Sequence, residues 1–150
     1  MQIEFEFQKQ KYVENIEDAL ELSEMTPSEI MEYLNKAPSK FAYWSTIMAD
    51  ILEKRRAFDL EYELWWDVCY DDESTGNEKM TEGWKKTQAR LTNVEEYTRR
   101  QKIMQKYDNV ASRCQILIES FKMQVNTLQS IGALKRAELQ SIASGDLSED

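Results

Sequence analysis

From Ser39 to about Tyr70 the chain has no glycine or proline, and Phe41, Trp44, Met48, Ile51, Arg55, Phe58, Tyr62, Trp65 and Cys69 recur at alternating spacings of three and four. That alternation keeps one side of an α-helix apolar and marks the seam of a coiled-coil-like pairing. Some 32 residues at about 1.5 Å each make a rod on the order of 50 Å long. Such a rod buries its seam only against a partner of similar length. Ile103, Tyr107, Val110, Cys114, Leu117, Phe121, Val125, Leu128 and Ile131 provide a second long stripe. Between the two, Asp71 to Glu78 lacks any apolar residue and contains Gly76-Asn77, a turn signal. The expected fold is all-α: a long antiparallel, coiled-coil-like helical hairpin over 39–142 with its tip at 71–78. An N-terminal arm and short helices fill 1–38 and a disordered tail takes 143–150, all within a single domain.

Local signals refine this outline. Ile3, Phe5 and Phe7 alternate with Glu4 and Glu6, as in a short strand or extended arm whose partner is left open. From Lys9 to about Met25, Tyr12, Val13, Ile16, Ala19 and Leu20 fit a helical spacing. Thr26-Pro27-Ser28-Glu29 reads as a capping box with proline at the first helical position, opening a short helix that Pro38 ends or kinks. The return arm starts near Thr81, and Thr92-Asn93-Val94-Glu95 reads as a second capping box that breaks it near Leu91. Gly132 is expected to allow close packing where that arm ends.

Composition agrees with helix and narrows the function. Only four Gly and two Pro interrupt the chain. Cys69 and Cys114 stand alone in apolar helical patterns, no charged-then-apolar leader opens the sequence, and no apolar run approaches the about 20 residues that span a bilayer. A cytoplasmic protein with reduced thiols is the expectation. The net charge of −9 opposes a nucleic-acid partner at first sight. Residues 1–78, however, hold seven Lys+Arg against nineteen Asp+Glu, whereas 79–143 hold twelve against six. One half is basic enough to meet a polyanion or the acidic half of another copy.

Catalysis is not expected. The chain has no histidine, the commonest general base and metal ligand, and no glycine-rich phosphate loop, paired metal-ligand cysteines or nucleophile elbow. Asp71, Asp72 and Glu73 lack the alternating spacing of a calcium loop and read as a solvated turn. No cofactor or metal is expected.

The candidate binding residues are basic and fall into three groups: Lys54, Arg55 and Arg56; Lys85, Lys86 and Arg90; Arg99 and Arg100, continued by Lys102 and Lys106. With a tip near residue 75, the first group is expected opposite 94–100, merging with the third. Each group has two readings: a helix face solvated by neighbouring acids, such as Glu53 with Arg56 or Glu95 with Arg99, or a groove for a polyanion with bases stacked on nearby aromatics. Trp65, Trp66, Tyr70 and Trp84 cluster near the tip, as core packing or as such a platform. Arg55 interrupts the seam and needs a partner, a water-filled channel in an oligomer, or an outward path.

The order of these features resembles the UvsY-like bacteriophage recombination mediators. The similarity rests on Tyr43-Trp44-Ser45 in the outgoing arm, Lys79-Met80-Thr81-Glu82 after the tip, a break before Glu95-Glu96-Tyr97, and Gly132-Ala133-Leu134-Lys135-Arg136-Ala137-Glu138. It covers about residues 30 to 140. The resemblance implies a homo-oligomer, a ring in the best-known member, that binds single-stranded DNA in the infected bacterial cytoplasm. It also implies partnership with a recombinase and a single-strand-binding protein. Family members carry basic residues before the tip, where this chain turns acidic after Arg56. Two other readings accept the same fold: an acidic module that inhibits a host defence or replication factor, and a virion assembly or structural hairpin.

Overall fold

The computed structural model describes residues 1–147. Its elements, in order, are β1 (Gln2–Phe7), β2 (Gln10–Asn15), α1 (Ala19–Glu24), α2 (Pro27–Ser74), α3 (Glu82–Thr92) and α4 (Val94–Leu147). The chain is mostly helical, and the long helices α2 and α4 pack against each other. Its contacts fall into two compact units, one of 1–48 with the residues from Arg113 onward and one of 49–112. Among the described residues no helix is long and apolar enough to cross a membrane.

In the first unit the strand of Ile3, Phe5 and Phe7 finds its partner within the chain. β1 pairs antiparallel with β2, Phe5 opposite Tyr12. Gln8 and Lys9 link them with φ of 50° and 63°, the two left-handed residues of a tight hairpin turn. The helix expected over Lys9–Met25 is therefore confined to α1. Tyr12, Val13 and Ile16 fit a helical period, but Tyr12 and Val13 stand on the alternating strand β2, in which Val13 faces outward, and Ile16 follows its end. The alternation is masked by Glu14, an acid on the inward side. Its carboxylate accepts from Trp44 Nε1 at 3.3 Å and from Lys40 Nζ at 3.3 Å. α1 starts in a capping box of Asp18 and Glu21.

The box of Thr26 and Glu29 forms as expected: each backbone N–H donates to the other side chain, at 2.8 and 3.2 Å. The helix does not end at Pro38, which lies inside α2. A mid-helix proline costs about 3 kcal/mol through its missing N–H and a clash one turn back. Here burial of Ile30 and Ala37 before it and Trp44 after it holds both flanks in one helix, with the Pro38 ring exposed.

Ile30 packs with Leu22 and Leu128, while Trp44 lies 5.9 Å from the Phe5 ring and 6.2 Å from Tyr12. Cys114, Leu117 and Phe121 of α4 are buried in this core, and burial pushes the Cys114 thiol up to about 11. Buried Gln124 is satisfied: it accepts from the Tyr33 hydroxyl and donates to the Glu17 carbonyl at 2.8 Å. A Cβ on Gly132 would stand 3.7 Å from Ile30 Cγ2, an ordinary contact, so the approach there does not require glycine. The tail expected to be disordered from 143 is helical as far as Leu147, because adding residues to an existing helix avoids the cost of nucleation. Residues 148–150 lie outside the described residues.

In the second unit α2 and α4 run antiparallel. Arg55 Nη2 reaches Asp108 Oδ1 at 2.9 Å, and Gln101 Nε2 donates to the Tyr62 hydroxyl at 3.1 Å. α2 continues to Ser74, and Gly76, with φ of +82°, supplies the left-handed residue beyond its end. The tip is thus 75–81 rather than 71–78. Thr81 caps α3, accepting from Trp84 N at 3.2 Å. The break after Leu91 is where the sequence places it, but the expected capping box is absent. Thr92 instead donates to Glu73 Oε1 at 2.7 Å, and Asn93 closes α3 through Nδ2 to the Ala89 carbonyl at 2.9 Å.

Candidate nucleic-acid interface

All eight candidate residues belong to the second unit, and α2, α3 and α4 treat their charges differently. Arg55 is committed to Asp108 and approaches Asp59 at 4.0 Å, so the seam charge is answered from the facing helix rather than from a channel. Lys54 and Arg56 are exposed on α2 and form no ion pair among the described residues. The first and third groups do not merge. Arg55 stands across from Asp108, not from 94–100, because α2 extends further and the tip lies later than the sequence suggests.

Arg99 and Arg100 converge on one carboxylate. Arg99 Nη2 lies 2.7 Å and Arg100 Nε 2.8 Å from Glu96 Oε1. The Arg99 hydrogen bond, aided by Arg100, holds the Glu96 carboxyl down to about 2. The acid that neutralises Arg99 is thus Glu96, one residue beyond the expected Glu95. Arg100 is largely buried and stacks 4.8 Å from the Trp65 ring, an arrangement that packs the helix pair.

α3 is different. Lys85, Lys86 and Arg90 have no carboxylate within ion-pair distance among the described residues, although Lys85 helps lower the Glu78 carboxyl, which chiefly its own and the Gly76 backbone N–H stabilise. Lys86 and Arg90 are one helical turn apart and share a face. Arg90 is exposed and lies 5.9 Å from the rings of both Trp66 and Tyr97, which are 5.9 Å from each other. Trp65 and Tyr62 continue the row, at 6.2 Å from Trp66 and 5.9 Å from Trp65 respectively. The rings are half-buried, so their packing is incomplete. Tyr70 and Trp84 pair with no other ring among the described residues.

The arrangement places an unneutralised cation over aromatic faces, with a second cation one turn away. Phosphate can be met by Lys86 and Arg90, while an unpaired base can take the ring face that the guanidinium vacates. The sequence alone singles out neither Tyr97 nor Tyr62 as a binding residue. The signal for Tyr97 is its antiparallel register with Trp66, which depends on the true position of the tip. Among the described residues no three Cys, Asp or Glu side chains gather as a metal site would need. No family model, curated protein or solved structure matches the chain.

Proposed function

We propose that this chain is a non-enzymatic, self-associating protein that binds single-stranded DNA through α3 and the adjoining Trp66–Tyr97 pair. In the terms of the UvsY-like resemblance, it acts as a phage recombination mediator, holding the strand while a recombinase replaces a single-strand-binding protein. The observation that carries the reading is Arg90: a cation without a carboxylate partner, over two half-buried rings, on the same helix face as Lys86. Binding of this kind is electrostatic, tolerant of sequence and steeply weakened by salt.

Charge reversal tests it. Lys85→Glu, Lys86→Glu and Arg90→Glu together are expected to abolish the anisotropy change of labelled oligo-dT at low salt. Lys54→Glu with Arg56→Glu should have the smaller effect, since about ten residues of α2, roughly 15 Å of helix, separate Arg56 from Trp66. Equal losses from both variants would remove the special role of α3.

A further inference from the structure

Within residues 49–112 the two sides of α2 carry different chemistry. Arg55, Tyr62 and Trp66 turn toward α4, where they meet Asp108, Gln101 and Tyr97. The opposite side carries Leu60, Leu64 and Val68, each four residues from the next and 59%, 61% and 60% exposed. A lone exposed leucine is ordinary on a protein surface. Among the described residues, however, no other helix repeats three exposed large apolar residues at this spacing, and a contiguous apolar row of this kind marks a contact surface.

The row has a border of one sign. Over 57–74, α2 holds seven Asp and Glu and no Lys or Arg. Asp59 approaches Arg55 and Glu73 accepts from Thr92, but Glu61, Glu63, Asp67 and Asp71 are exposed beside the row and stand in no ion pair among the described residues. Lys54 and Arg56, the nearest cations along α2, precede Leu60. Such a border repels phosphate and an anionic lipid surface alike, so neither a nucleic acid nor a membrane is its complement. The carboxylates call for cations, and the row between them calls for apolar contact. An amphipathic helix supplies both when leucine-like residues recur along one face with Lys or Arg on either side.

We infer that the Leu60, Leu64 and Val68 face of α2 is a docking site for a basic amphipathic helix of another protein. From Leu60 to Val68 the helix rises about 12 Å, enough to seat about two turns of such a partner. Apolar contact forms on Leu64 and Val68, while Glu61, Glu63 and Asp67 meet the partner's cations and steer its approach. A second copy of this chain does not fit, because among the described residues no helix offers a matching exposed row with a basic border. The face lies across α2 from Trp66, so this docking is independent of the proposed DNA binding, and its test contains no nucleic acid.

The probe is a labelled synthetic helix with leucine at every fourth position, lysines flanking the leucines and alanines elsewhere. One control has the same composition with the leucines scattered around the helix, and another has glutamate in place of lysine. By anisotropy at low salt, the whole chain is expected to bind the first peptide, the scattered one about tenfold more weakly and the glutamate one not at all. Leu64→Gln with Val68→Gln keeps every charge and should weaken binding of the first peptide about tenfold, with unchanged helical circular dichroism. Glu61→Gln, Glu63→Gln and Asp67→Asn together should weaken it as well and flatten its salt dependence. No binding, equal binding of the two lysine peptides, or binding by the Leu64→Gln, Val68→Gln variant at wild-type strength would each overturn the inference. So would sedimentation in which that variant turns an oligomeric wild type into a monomer, since the face would then belong to a second copy.

Discussion

Arg55 of α2 and Asp108 of α4 form a 2.9 Å ion pair at the one position where charge interrupts the apolar seam of α2. The side chains are 40% and 52% exposed, so solvent screens the pair and its contribution is about 0.5 kcal/mol. A double-mutant cycle with Arg55→Ala and Asp108→Ala, followed by urea unfolding, should give a coupling below about 1 kcal/mol. Arg55→Gln should also leave oligo-dT affinity nearly unchanged, because this guanidinium is already engaged.

The β1–β2 turn is built from residues poorly suited to it. Gln8 and Lys9 both adopt positive φ, a conformation that costs an ordinary side chain about 1 kcal/mol. Gln8→Asn with Lys9→Gly supplies the residues that such a turn prefers and should raise stability by about 1 kcal/mol. A shift of the urea midpoint to higher concentration with an unchanged slope checks it.

The difference between what the sequence makes legible and what it hides lies in these same residues. The seam from Phe41 to Cys69 is readable because burial of one helix face dictates its period, and the break at Asn93 because capping residues act locally. β2 is hidden because Glu14 sits on its inward side, where it accepts from Trp44 and Lys40 across 26 or more residues of sequence. No local rule anticipates an acid there. The continuation of α2 through Pro38 is hidden for a related reason, since tertiary burial on both flanks outweighs local propensity. At the candidate site, the basic residues are legible one by one. Which of them are neutralised depends on helix register, and the register depends on a tip placed several residues later than polar composition suggests.

Glu96 makes stability pH-dependent in a definite direction. Arg99 and Arg100 lower its carboxyl from about 4.5 in the unfolded chain to about 2 in the folded one. Its contribution is therefore present above the unfolded value and is lost as pH falls from about 4.5 toward about 2. Urea midpoints of wild type and Glu96→Gln should differ near neutrality and converge across that window. A difference that persists undiminished at the acid end would contradict the assignment.

Leu117 is fully buried on α4, whereas Leu134 on the same helix is 65% exposed. Leu117→Ala should cost about 2 to 5 kcal/mol, at least about four times the effect of Leu134→Ala, which should stay within about 0.5 kcal/mol. Thermal unfolding of the two variants side by side makes the comparison.

The most direct measurement is the salt dependence of binding to labelled oligo-dT by the whole chain. Binding is expected at micromolar protein and low salt, with log affinity falling linearly against log salt. The slope should shrink by about 2 when Lys85, Lys86 and Arg90 are neutralised, since each phosphate contact on a single strand contributes about 0.7. No binding by the wild-type chain at low salt, or a slope that the three substitutions leave unaltered, would contradict the proposed function.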